Sequence, residues 1–250
     1  MSRALHWSVS PIEADDGRFV AALRERLAQA AAAPPDRDRR RYRLLSRWRA
    51  FYGWGVVPDG GDAHGRVSIA RRRQPDGWTY EVRIENEMAG ERTELRFTTD
   101  ATPFRALRGG WSVASDYRND YDTPGALQTY RCEGRRAPDG EIRLRLRGGL
   151  EFAAGRIALD RPAVADWALA DAVAGLAGRE FAVLDRLEVV KPVARVRPVG
   201  PWVCELGPAP MELNGYCVWG EGLDPRYWWM DAAGRAVLLS TMQNVWVLES

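Results

Sequence analysis

The stretch Glu141-Ile142-Arg143-Leu144-Arg145-Leu146-Arg147, entered through Pro138-Asp139-Gly140, decides the fold class. Ile142, Leu144 and Leu146 alternate with arginine, a period of two that puts apolar groups on one face of a strand and charge on the other. Proline presets the backbone for a turn and glycine admits a positive φ, so the strand begins at a tight reversal. The same period recurs upstream at Val67 and Ile69, at Trp78, Tyr80, Val82 and Ile84, and at Leu95 and Phe97. Turns at Pro75-Asp76-Gly77 and around Ala89-Gly90 separate these runs, and connections that short force antiparallel neighbours. On their polar faces Glu81, Arg83, Glu85, Glu94 and Arg96 suit cross-strand ion pairs, with an arginine-lined anion site as the sharper alternative.

Downstream, residues 216–219, 227–230, 236–239 and 245–248 read as further strands, with a hairpin turn around Gly234. A β segment from Phe181 precedes them, punctuated by Pro192, Pro198, Pro201, Pro208 and Pro210. Two helices interrupt the pattern. Asp15 and Asp16 offer N-caps to a run in which Phe19, Leu23, Leu27 and Ala30 recur at helical spacing, ending before Pro34-Pro35. Arg161-Pro162 predicts a second helix to about Ala177, with Gly178 at its exit and Leu169, Val173 and Leu176 in one stripe. Trp167 and Val164 fall nearly opposite that stripe, so this helix is expected to be contacted from two directions, as one inside a curved sheet would be. The expectation is a mainly β fold: a curved antiparallel sheet or open barrel, with an N-terminal and a mid-chain helix packed on or across it. It is read as one β-rich domain over 1–250, the alternative being halves at 1–160 and 161–250.

A chain of 250 residues that is 46% hydrophobic can bury a sizeable core without disulfides or a structural metal. Its 36 basic and 34 acidic residues leave a net charge of +2 with no long block of one sign, which argues against nucleic acid as a partner. The one basic cluster, Arg37, Arg39, Arg40, Arg41, Arg43, Arg47 and Arg49, reads as a solvated helix or linker, or else as a site for phosphate or an acidic surface. Lys191 is the sole lysine, and its approach through Val189 and Val190 suggests a strand end rather than a Schiff base. Cys132, Cys204 and Cys217 lack the paired spacings of zinc or disulfide frameworks. Residues 1–11 lack the apolar run of a secretory signal, and about 18 consecutive apolar residues occur nowhere, so a cytoplasmic protein without a membrane span is expected.

His6 and His64 are far apart and form no metal motif, and the common nucleotide-binding and hydrolase motifs are missing, so neither a metal nor a cofactor is expected. The densest polar segment, Ser115-Asp116-Tyr117-Arg118-Asn119-Asp120-Tyr121-Asp122, holds general-base candidates in Asp116 and Asp120 and phenols in Tyr117 and Tyr121. The same residue types build surface turns. His64, between Ala63 and Gly65, reads as a loop imidazole that would titrate near neutrality if exposed. Five of eleven tryptophans, Trp202, Trp219, Trp228, Trp229 and Trp246, fall in the last 49 residues. Trp228 and Trp229 are adjacent and must face opposite sides of a strand, so one of them needs a cover: a helix, a partner or a ligand.

In order of features the chain resembles the LolA/LolB-like lipoprotein carriers, on the strands between Val67 and Leu146, the helix starting at Pro162 and the hairpin from Tyr227 to Arg235. The resemblance implies an open sheet wrapped around helices with an apolar cavity, and carries over no functional residue. Two functions follow as expectations. One is binding of a small hydrophobic or amphipathic molecule, with Trp111, Arg118, Tyr121, Trp167, Arg226, Trp228 and Trp229 as ligand contacts. The other is a cofactor-independent lyase, isomerase or cyclase using Asp116, Tyr117, Asp120 or His64, with Arg118 or Arg226 stabilising negative charge. A homo- or hetero-oligomer burying exposed aromatics is a third reading.

Overall fold

The computed structural model describes residues 17–32, 36, 38–46, 63–87, 90–119, 126–148, 155–206, 209–241 and 244–249. The helix caps at Asp15 and Asp16, Pro34-Pro35, Pro208, Arg37, Arg47, Arg49, Asp120, Tyr121 and the side chain of Arg118 lie outside them.

Helix α1 (Gly17–Ala32) is followed by β1 (Arg39–Ser46), β2 (Ala63–Gln74), β3 (Gly77–Asn86), β4 (Glu91–Asp100), β5 (Leu107–Asn119), β6 (Ala126–Arg136), β7 (Ile142–Arg147) and β8 (Gly155–Ile157). After β9 (Ala163–Ala165) come a 3₁₀ turn (Asp166–Ala168), α2 (Leu169–Ala172) and a second 3₁₀ turn (Val173–Leu176). The chain ends with β10 (Glu180–Asp185), β11 (Val189–Leu206), β12 (Ala209–Gly220), β13 (Leu223–Met230), β14 (Ala236–Ser240) and β15 (Asn244–Leu248).

All fifteen strands form one sheet, ordered β8-β7-β6-β5-β4-β3-β2-β1-β15-β14-β13-β12-β11-β10-β9. This order dictates curvature. Laid flat, fifteen strands would hold the edge strands about 67 Å apart. Yet β8 and β9 are consecutive in the chain, and the six steps from Ile157 to Ala163 reach at most about 22 Å. The sheet therefore curls until its edges approach, and an isolated bridge from Ala106, just before β5, to Val164 in β9 ties the far side. Every neighbouring pair is antiparallel except β9–β10. A parallel pair needs a crossover, and the helical segment 166–176 supplies it.

Alternation sorts the side chains. Tyr42 and Leu44 of β1, Val67 and Ile69 of β2, Tyr80 and Val82 of β3, Leu95 and Phe97 of β4 and Val113 of β5 are buried on the inner face, where the segment 166–176 also lies. Leu23, Leu27 and Ala30 of α1 are buried as their spacing predicts, and α1 packs on β15, β1 and β11. Arg26 of α1 and Arg43 of β1 both approach Glu249, on the face opposite Tyr42, so the two helical elements lie on opposite faces of the sheet.

Two expectations change. The arginine cluster is not a helix or linker where it is described: 39–46 is a strand, and Arg40 is buried at 4% exposure. Tyr42, Leu44 and Leu45 supply the apolar pattern that the surrounding arginines obscure. The second helix begins at 166 rather than at Pro162, because 163–165 pairs with β10 as an edge strand.

Candidate ligand-binding site on the inner face

The helical segment 166–176 carries two acids, Asp166 and Asp171, within the apolar run Val164-Ala165-Asp166-Trp167-Ala168-Leu169-Ala170-Asp171. Burial on that segment obliges each to find partners. Asp171 reaches the first half of the sheet: its Oδ2 accepts from Arg40 Nη2 and Tyr80 OH, both at 2.8 Å, and its Oδ1 lies 2.8 Å from Arg71 Nη1. Burial and the neighbouring carboxylate push the Tyr80 phenol well above its ordinary value. Asp166 faces the second half. Its carboxylate accepts the backbone N–H groups of Trp167 (2.8 Å) and Arg186 (3.1 Å) and lies 3.6 Å from Arg226 Nη1. Full burial pushes its pKa up to about 6 against the pull of Arg226, with Asp185 adding to the rise. Arg226 itself donates to Asp185 at 2.7 Å.

Trp167 stands beside this ion pair and meets two strands at once. Its ring is edge-to-face with Trp228 at 6.3 Å and with Trp246 at 6.1 Å. Three indoles, one buried carboxylic acid and one arginine thus share one region of the inner face. The indole N–H groups of Trp167 and Trp228 are buried without a hydrogen-bond partner.

The turn 185–188 plugs the remaining inner face against β4–β6. Arg186 and Leu187 both take positive φ, 51° and 62°, as the tight turn between β10 and β11 requires. Leu187 O accepts from Trp111 Nε1 at 3.0 Å, with Cys132 Sγ at 3.9 Å. Arg186 pairs with Glu91, and burial pushes the Glu188 carboxyl up beside Tyr130. The Cys132 thiol, buried under the same turn, is pushed up to about 12, which leaves it protonated and unreactive at neutral pH.

Of the expected ligand contacts, Trp167, Arg226 and Trp228 come together. Trp111 faces inward further along, held by Leu187. Trp229 points to the opposite face, where Trp202 covers it at 5.4 Å and its Nε1 donates to Ser240 at 3.4 Å. Among the described residues the acid–base candidates Asp116, Tyr117 and His64 do not meet. Asp116 lies on the outer face, accepting from Thr129 at 2.9 Å with Arg131 at 3.7 Å, whereas Tyr117 turns inward and donates to Gln128 at 2.5 Å. His64 is not in a loop. It is the second residue of β2, is buried, and burial lowers its pKa against a hydrogen bond to Asn86 that favours the protonated ring.

Sequence reasoning missed Asp166, Asp171, Arg40 and Trp246 as members of this region. The two acids were visible in principle, as charges at wrong positions in an apolar run. The arginine was not, because nothing local marks which of several arginines turns inward. Among the described residues no helix is long and apolar enough to cross a membrane.

No protein-family model matches the chain, and no curated protein is significantly similar to it. Among solved structures it is similar to the crystal structure of a β-barrel-like protein of domain of unknown function DUF1849 from Brucella abortus, with a TM-score of 0.51 and 12% identity over 84% of this chain and 94% of that one. At that identity the likeness is one of fold: a large, curved, barrel-like β-sheet.

Proposed function

We propose that the chain binds an apolar or amphipathic small molecule on the inner face, between the helical segment 166–176 and the aromatic side chains of β13 and β15. One contrast carries the reading. Trp111 and Trp229 satisfy their indole N–H groups inside the protein, but Trp167 and Trp228, in contact with each other, do not. Buried indoles ordinarily find an acceptor, and leaving one unmet costs about 1–3 kcal/mol. A ligand whose body packs on the three rings and whose polar end accepts from these donors would meet that need, with Arg226 orienting a negative group. A curved sheet enclosing a helix is also the architecture expected of the LolA/LolB-like carriers, which favours a carrier of such molecules.

A second reading rests on Asp166, a buried acid raised to about 6 beside Arg226. That is the pairing a cofactor-independent lyase, isomerase or cyclase would use for proton transfer, with Asp166 in place of Asp116, Asp120 and His64.

Titration of the full chain with oleate and with anilinonaphthalene sulfonate, followed by tryptophan emission, separates these from a solid core. Saturable quenching in the wild type, weakened in Trp228→Phe and retained in Trp219→Phe, supports binding. Emission and melting temperature unmoved by either probe would sink it.

A further inference from the structure

The register of the outer face places arginines directly opposite arginines. Across β6 and β7, Arg131 pairs with Arg147 and Arg135 with Arg143, and Arg143 in turn opposes Arg156 of β8. Directly opposed like charges on one sheet face repel. Acidic neighbours relieve this in part: Arg143 donates to Glu141 at 2.5 Å, Arg131 lies 3.7 Å from Asp116, and Glu133 stands opposite Arg145 between the two arginine pairs. Guarding an edge against strand addition would explain charge on β8 and β7. It does not explain Arg131 and Arg135 on β6, two strands further in.

These arginines surround a hollow. A groove of about 630 Å³ is lined by Arg96, Arg135, Arg143 and Arg145 against a single acid, Glu133, with Gly110 leaving its floor without a side chain. A second hollow of about 240 Å³ repeats the chemistry on the same face, with Arg41, Arg66 and Arg83 against Glu85. Their central strands, β5 and β2, are three strands apart, or about 14 Å. The larger hollow is shallow and open to solvent, and its guanidinium forks suit bidentate contact with oxyanions.

We propose that this outer groove is a binding site for a polyanion with clustered phosphate-type charges, recognised by the Arg135–Arg143 pair with Arg96 and Arg145. The alternation that builds the face sends Trp78, Tyr80 and Tyr130 inward, and Phe97 and Trp111, which border the groove, are buried at 2% and 5% exposure, so no ring face is presented to a nucleobase for stacking. Charge, not base identity, is what the groove reads. The site is independent of the inner-face ligand.

Inorganic tripolyphosphate, titrated calorimetrically into the full chain at low ionic strength, is the probe. Wild type is expected to bind with an affinity that falls as salt rises, and Arg135→Ser/Arg143→Ser to bind at least about tenfold more weakly. Arg24→Ser on α1, also losing a positive charge, is expected to leave binding unchanged. Vesicles of phosphatidylcholine with and without phosphatidylglycerol identify the source: pelleting with anionic vesicles only, lost in the double variant, assigns a lipid headgroup, and tripolyphosphate binding without pelleting assigns a free anion. No binding of either probe by the wild type, or equal weakening in Arg24→Ser, overturns the proposal. Circular dichroism of the double variant, expected to match the wild type, keeps a folding defect from counting as lost binding.

Discussion

Trp228 and Trp229 are neighbours in β13, face opposite sides of the sheet, and are both buried, at 1% and 2% exposure. Trp228 pairs with Trp167 of the inner helical segment; Trp229 pairs with Trp202 of β11 across a 65° edge contact. The cover for Trp229 is thus the protein's own long strand. Gly215, directly opposite Trp229 in the register, makes room for it: a Cβ there would lie 2.7 Å from the ring. Replacing Trp229 by alanine should cost about 3–5 kcal/mol in urea unfolding. In a double-mutant cycle, Trp202→Ala and Trp229→Ala should couple by about 0.5–1.5 kcal/mol. Strict additivity would mean that β11 does not hold that ring.

That pair also marks what the sequence could and could not reveal. Alternation alone requires the two rings to diverge, since it depends only on local strand geometry. What covers each ring depends on which distant segment folds back, and neither the 60 residues between Trp167 and Trp228 nor the 26 between Trp202 and Trp229 offer a periodic cue to that. Strands such as β7, with clean alternation and turn residues, were legible. β1 was hidden because its inward residues include Arg40, whose place in the core depends on Asp171, 131 positions away.

Asp171 holds two nearly buried arginines, Arg40 and Arg71, and the hydroxyl of Tyr80. Removing the carboxylate strands Arg40, whose burial is compensated by that contact. Asp171→Ala is expected to lose about 3–5 kcal/mol of stability. Replacing Tyr80 by phenylalanine, which removes one hydrogen bond and leaves the ion pairs, should cost only about 1–3 kcal/mol. Comparable losses in the two variants would contradict the assigned hierarchy.

Gly134 sits beneath the ring of Trp111, and a Cβ at that position would fall 2.0 Å from the indole. The ring cannot swing away without breaking its hydrogen bond to Leu187 O. Gly134→Ala should therefore destabilise by about 1–3 kcal/mol, and most of that penalty should vanish in a Trp111→Ala background. An undiminished penalty there would show that the clash is with the backbone instead.

Asp166 makes stability depend on pH. Its ordinary value is 3.8 and burial raises it to about 6 in the folded chain, so between these values the folded state holds more protons than the unfolded one. The unfolding free energy must then fall as pH rises through that window, by roughly 3 kcal/mol for a shift of this size. Glu188, also raised by burial, adds in the same direction, whereas Asp160 and Glu180, lowered by their arginine partners, oppose it from exposed positions where such pairs count for little. Asp166→Asn removes the titration and keeps an acceptor for only one of the Trp167 and Arg186 N–H groups, which meet different oxygens of the carboxylate, a cost that does not vary with pH. The stability of wild type relative to Asp166→Asn should accordingly be greatest near pH 4 and decline to a plateau above pH 7 by roughly that amount, as read from urea midpoints across the range. If the difference between the two proteins does not change with pH, Asp166 does not titrate in this window, and the acid–base reading of the inner face loses its basis.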